Sequence, residues 1–191
     1  MLGTPLAHQV RVTESQTISP VDRAARAEAP AAAVYCFVPA GGDRGSRSES
    51  REAVRQLVAA MRTYLADAND DRTVGLADFS DLPSHPRSSI TFVDLTDADP
   101  EAASAAIGGS EAVFLVSTTH PDSIDEACIQ AAWLQYVQSS FQREEGCGLL
   151  LVQTSDGIPL AEAERRVGIP LCGVFRSAAH TAQLARWIAQ D

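Results

Sequence analysis

The sequence predicts an α/β domain over residues 31–191, three-layered and doubly wound around a mostly parallel sheet. Two observations carry this expectation. Apolar runs of about six residues recur along the chain, rich in Val, Ile, Leu and Phe with little polar alternation, the pattern of strands buried on both faces. Between these runs lie stretches with helical spacing, and strand–helix alternation places helices on both faces of a parallel sheet. At 191 residues the chain is long enough for one domain with a substantial core.

Taken in order, residues 1 to 30 lack sustained periodicity, end in an Ala-rich stretch at Pro30, and read as a flexible tail. Strands are expected at Ala33–Val38, Thr73–Asp78, Ser89–Asp94, Ala112–Ser117, Gly148–Gln153 and Pro170–Phe175. From Glu49 to Ala66, the residues Val54, Leu57, Val58, Met61 and Leu65 fall on one helical stripe. Asp99 and Pro100 suit an N-cap and first helical position, and Gly108 and Gly109 end that helix. Ser123 and Glu126 have capping-box spacing for a helix running to Phe141, with a core face of Ile124, Ala127, Cys128, Ala131, Leu134 and Val137. Helices over 160–167 and 178–189 complete the alternation. In the last of these Leu184, Trp187 and Ile188 are expected to pack on the sheet rather than on a membrane.

Charge and cysteine usage narrow the function classes. There are 25 acidic residues against 15 basic ones, all of them Arg, for a formal charge of -10. Such a balance opposes phosphate-backbone binding, so no nucleic-acid partner is expected. No apolar run approaches a membrane span, and residues 1–30 hold no apolar signal-peptide core, which predicts a soluble cytoplasmic protein. Cys36, Cys128, Cys147 and Cys172 form no CxxC pair, and His8, His85, His120 and His180 fit no metal-ligand spacing. Cys36, Cys128 and Cys172 sit in apolar runs and read as small hydrophobes. No GxSxG turn supports a serine nucleophile.

Doubly wound folds bind ligands outside the carboxyl ends of their strands. The first strand runs into Pro39-Ala40-Gly41-Gly42-Asp43-Arg44-Gly45-Ser46-Arg47-Ser48. A glycine-rich turn between a strand and a helix suits a phosphate cradle, because backbone N–H groups converge there and the helix start is partly positive. Against GxxxxGK[ST], Gly45 is kept, Ala40 replaces the first glycine, Ser46 stands at the lysine and Arg47 at the magnesium-binding hydroxyl.

On these residues the chain resembles the MinD/ParA-type P-loop ATPases, a group that includes the cytosolic bacterial tyrosine kinases of polysaccharide export. Their loop typically runs GKGGxGK[ST][ST], and Ala40–Ser48 aligns with it without a gap. Gly42, Gly45 and Ser48 match, Gly41 and Ser46 stand at the two lysines, and Asp43 replaces a glycine. The resemblance continues through Val74–Asp78, the Walker B-like strand ending in Asp94, Ala112–Pro121, a strand ending in Gln153 at a base-contacting position, and Gly168–Phe175. It covers the chain from Ala31 onward. It implies a P-loop NTPase-like fold, with Gly42, Arg44, Gly45, Ser46, Arg47, Ser48 and Gln153 as candidate nucleotide contacts and Asp94 and Asp78 as candidate catalytic acids, Asp94 also holding any magnesium.

The departures point away from ordinary hydrolysis. Phosphoryl transfer rests on positioning and charge neutralisation, and Ser46 supplies no cation. A guanidinium from Arg44 or Arg47 is a poor copy of an ammonium in a tight loop. Ser46 and Glu49 have capping-box spacing, so the helix start is expected to be closed by its own side chains. Asp94 reads better as an acid bonding loop N–H groups than as a magnesium ligand, and Asp78, Asp81, Asp97 and Asp99 as solvated loop acids near the same edge. Ser117, Thr118 and Thr119 suit turn hydrogen bonds as well as a small ligand.

The leading expectation is a non-catalytic or weakly nucleotide-binding regulatory or scaffold partner in a bacterial positioning or polysaccharide-export system. It would need no cofactor, would act through a protein partner or a homodimer, and would meet a membrane only through a partner. The competing readings are an active ATPase using Arg44 or Arg47 with ATP and magnesium, and an unrelated α/β enzyme with its site at the same strand ends.

Overall fold

A computed structural model describes residues 33–41, 43–78, 89–96, 98–141 and 147–190. The expected tail, together with Gly42, Asp81 and Asp97, lies outside them. The elements run β1 (Ala33–Pro39), α1 (Arg44–Asp67), β2 (Thr73–Asp78), β3 (Ser89–Asp94), α2 (Pro100–Gly108), β4 (Ala112–Thr118), α3 (Pro121–Ser140), β5 (Cys147–Val152), α4 (Leu160–Val167), β6 (Leu171–Phe175) and α5 (Ala178–Gln190).

The six strands form one sheet in the order β2-β3-β1-β4-β5-β6, with every pair parallel. From β1 the chain crosses to the far edge at β2, returns through β3 to lie beside β1, then passes through α2 to β4 on the other side of β1. The connections therefore diverge at the carboxyl end of β1, where doubly wound folds open a crevice. The ladder continues past the strands there: the Ala40 N–H donates to the Val116 carbonyl at 2.7 Å and the Leu95 N–H to the Phe37 carbonyl at 3.0 Å.

Alternate side chains of each strand feed two separate cores. Tyr35 and Phe37 on β1, Phe92 on β3 and Phe114 on β4 pack under α1 and α5. Phe37 lies 5.2 Å from Phe92 and 5.5 Å from Phe114 between ring centroids. Cys36 and Val38 on β1, with Leu115 on β4, face α2, α3 and α4. Leu184 and Ile188 of α5 are buried on the sheet, as the sequence predicts, while Trp187 is 46% exposed. The stripe on α1 is buried from Val54 to Leu65.

Two helix N-caps lie three residues earlier than expected, just under one turn. In α1 the N-cap is Asp43, not Ser46. In α3 the N-cap is His120, with Pro121 in the first turn and no side-chain cap. Ser123 thus lies inside α3, where its hydroxyl is buried without a partner. Asp43 is a strong N-cap type, and proline favours a first helical position because it has no N–H to lose. The other strand and helix limits agree with expectation to within a residue or two, and Asp99 caps α2 through the Glu101 and Ala102 N–H groups.

Each outer strand has a main-chain group held by a helix side chain. Arg62 of α1 donates to the Val74 carbonyl of β2 at 2.8 Å, and Glu164 of α4 accepts the Leu171 N–H of β6 at 2.8 Å. The pairing of β5 with β6 also shifts register between Leu149 and Leu150.

Of the cysteines, Cys36 is buried, but Cys172 is exposed, so the small-hydrophobe reading fails there. Cys172 lies on an edge strand, where an apolar run need not be covered on both sides. Burial, with the nearby Cys172 sulfur, pushes the Cys147 thiol up to about 12. A thiol raised above its unfolded value near 9 adds stability that is complete below that pH and declines as pH rises toward the folded value. Chemical denaturation is therefore expected to show falling stability between about pH 9 and 12. Cys147→Ala should flatten that limb, and an unchanged slope in the variant would assign the loss to other groups.

Candidate functional site

Pro39, Ala40, Gly41 and the first turns of α1 stand at the crevice, at the carboxyl end of β1. Ala40 is 1% exposed, and the buried Ser50 hydroxyl donates to its carbonyl at 3.3 Å. Gly41 lies hard against α1: a Cβ there would meet the Arg47 nitrogen at 2.7 Å and the Ser46 carbonyl carbon at 2.9 Å. Only glycine permits so close an approach of turn to helix.

Asp43 turns its carboxylate onto the start of α1. Its Oδ1 accepts the Ser46 N–H at 2.7 Å. A Cβ on Gly45 would lie 3.2 Å from the same oxygen. The Ser46 N–H bond, followed by the Ser46 side chain and with help from the Gly45 N–H, holds this carboxyl below its ordinary value. The stabilisation it gives is present above the unfolded value near 3.8 and is lost as pH falls through the folded one. A fixed anion thus occupies a helix N-terminus, the place where N–H groups and the helix dipole favour negative charge. The expected closure of the helix start is present, but through Asp43 rather than a Ser46–Glu49 box.

The candidate arginines have different surroundings. Arg44 is exposed in the first turn. Arg47 bends back, its Nε donating to the Gly41 carbonyl at 3.1 Å. Ser48 is exposed on the next turn.

Asp94 is tied on both oxygens. Oδ2 accepts from Arg51 Nε at 2.7 Å, while Oδ1 accepts the Thr96 N–H at 2.9 Å and the Thr96 hydroxyl. Its side chain is only 10% exposed and that of Arg51 32%, so this is a part-buried ion pair linking α1 to the end of β3. Asp78 is the register partner of Asp94 at the end of β2. Asp99 is exposed and spent on capping α2. Gln153 is exposed at the end of β5, its N–H donating to the Phe175 carbonyl at 3.2 Å.

The hydroxyls at the end of β4 serve the chain itself. Ser117 Oγ donates to the Thr118 and Ser123 carbonyls, and Thr119 Oγ1 accepts the Thr154 N–H at 2.9 Å. Beside them His120 stands about midway between two acids, with Nδ1 4.0 Å from Asp122 and Nε2 3.9 Å from Asp156. Among the described residues no group of His, Cys, Asp and Glu could hold a metal ion. A cavity of about 310 Å³ at the ends of β5 and β6 takes its walls from Glu49 and Glu52 on α1 and from Phe175 and Arg176.

Sequence reasoning missed two members of this site, Arg51 and His120. Arg51 had a signal: it continues the line of Val54 and Val58 back toward the loop, on the side of α1 that reaches the sheet. His120 had one in the Pro121 that follows it, which marks a helix start at a strand end.

No family model matches the chain, and no curated protein sequence matches it. Solved structures do. The chain is similar to the MinD cell division protein of Aquifex aeolicus, with a TM-score of 0.56 and 10% identity over 84% of this chain and 98% of that one. It is similar to MinD in the MinC:MinD complex of the same organism, with a TM-score of 0.52 and 9% identity over 84% and 97%. A ParA family ATPase from Chlorobium tepidum TLS matches at a TM-score of 0.43 and 12% identity over 84% and 93%. The fold is the one seen in the MinD structures, an α/β sheet of six parallel strands between helices.

Proposed function

We propose that this chain is a degenerate MinD/ParA-like P-loop protein that binds nucleotide weakly or not at all. It acts as a regulatory or scaffold partner in a bacterial positioning or polysaccharide-export system. The observation that carries the reading is the Asp43 carboxylate on the Ser46 N–H, an anion held where a phosphate would need the same donor. The residues fit a magnesium-bound triphosphate poorly in three further respects. Gly41 and Ser46 stand where the resemblance calls for lysines. Arg47 puts a cation where the resemblance calls for the magnesium-binding hydroxyl. Asp94, the acid that would orient magnesium, is neutralised by Arg51.

A protein with little nucleotide chemistry of its own acts through what it binds. The solved MinC:MinD complex supports a protein partner, or a second copy, as the mode of action. Among the described residues no helix is long and apolar enough to cross a membrane, so a membrane would be reached through the partner. The charge of -10 opposes nucleic acid. The cytoplasm is the compartment this reading requires.

Arg44 and Arg47, both exposed at the start of α1, keep the ATPase alternative open. Titration with a fluorescent ATP analogue and magnesium separates the two. No saturable binding is expected below about 1 mM. Micromolar binding, with turnover abolished by Arg44→Ala, would establish the ATPase instead.

A further inference from the structure

We propose that the cavity between the start of α1, the β3–α2 connection and α3 binds a small zwitterion with an apolar body, the chemistry shared by apolar amino acids and apolar dipeptides. The cavity measures about 420 Å³, within the range of small-molecule sites. It opens at the carboxyl end of the sheet, on the α3 side of the degenerate loop, and none of its lining residues belongs to the cavity at the ends of β5 and β6.

Its lining defines the ligand. Val38 and Leu95 are buried side chains of the sheet end and form an apolar floor, and the half-buried Trp133 forms a wall. Among the described residues that line it, Arg47 is the one cation and Glu126 the one anion, and they come from different helices. Arg47 is anchored through Nε to the Gly41 carbonyl, so the guanidinium is held in place while its terminal nitrogens remain for a carboxylate. Glu126 accepts one bond from Gln130 at 3.2 Å, which leaves its second oxygen for an amine. A simple carboxylate would satisfy Arg47 and face Glu126 unpaired, and a simple amine would do the reverse. A molecule with both charges and an apolar body answers the described lining. A polyphosphate answers neither the apolar floor nor Glu126.

Trp133 supplies the readout. The chain has two tryptophans, so Trp187→Phe leaves Trp133 as the only indole. In that background, leucine, phenylalanine and the Leu-Phe dipeptide are titrated, each also as its N-acetylated and its C-amidated form, with emission and heat followed together. Saturable binding is expected with a Kd at or below about 1 mM, weakened about tenfold by blocking either end, since each block removes one charge-assisted contact. Whether the amino acids or the dipeptide bind more tightly identifies the source. Arg47→Gln should weaken the free ligand about tenfold yet leave the C-amide unchanged, and Glu126→Gln should do the same with respect to the N-acetyl form. No saturable signal from any probe overturns the proposal, as does binding indifferent to both blocked ends. The blocked ligands test it on the intact protein, so the result does not depend on how either variant folds.

Discussion

Replacing Asp43 by glycine and Ser46 by lysine together is expected to raise affinity for ATP with magnesium at least tenfold, about 1.4 kcal/mol. The first change removes the carboxylate from the α1 N-terminus and frees the Ser46 N–H it now occupies. Glycine is a tolerable N-cap, so the helix start should survive. The second change returns an ammonium to the first turn of α1. The variant is not expected to hydrolyse ATP, because Asp94 stays bonded to Arg51 and Thr96. Equilibrium titration with a single-turnover assay reads both quantities. Unchanged affinity would show that the loop is blocked by something other than Asp43 and the missing charge, and recovered turnover would show that Asp94 is free to act.

A second large effect is expected at Phe37. Its side chain is fully buried between Phe92 and Phe114, at the centre of the core under α1 and α5. Phe37→Ala removes a ring from a packed site that resists collapse, because its ring neighbours are fixed to the strands on either side. The cost should be about 3–5 kcal/mol, and Phe37→Leu should cost less than half of that. Urea denaturation of the two variants checks the ratio as well as the size. A loss below about 1 kcal/mol for the alanine variant would mean that the site relaxes and that the core is less rigid than its ring contacts imply.

Most of the fold was legible because burial leaves a strong mark on composition. Ser89–Asp94 and Thr73–Asp78 match their strands residue for residue, since each has a short apolar centre rich in strand-forming residues between polar ends. The α1 stripe was legible for a similar reason. The starts of α1 and α3 were not. Ser46 with Glu49 and Ser123 with Glu126 both carry a capping-box pattern, but that spacing also arises by chance inside a helix. Asp43 and the His120-Pro121 pair, one turn earlier, were the working signals. The strand order could not be read at all, because crossovers of similar length serve several orders.

The site was legible only in part, for a related reason. The loop and the strand-end acids could be located by order and spacing. What decides their chemistry is a set of contacts between distant positions. Arg51 meets Asp94 across 43 residues of sequence, and nothing in either local pattern announces the other. Arg47 stands beside the missing lysine in the alignment, yet what the alignment does not show is that its Nε bonds a carbonyl of its own loop. A motif alignment reports where a side chain starts, and the hydrogen-bond partner decides what it can do.

The side chains on the two outer strands bear on how this chain can assemble. A free strand edge recruits other strands, and a parallel sheet of six apolar strands would otherwise be a good template for end-to-end polymerisation. Arg62 on Val74 and Glu164 on Leu171 put a charge of opposite sign at each end of the sheet, and the shifted register beside β6 bends the second edge further out of line. Ladder growth is therefore discouraged at both ends. Among the described residues, what the molecule offers to an approaching chain is helix faces and loop ends rather than a bare ladder.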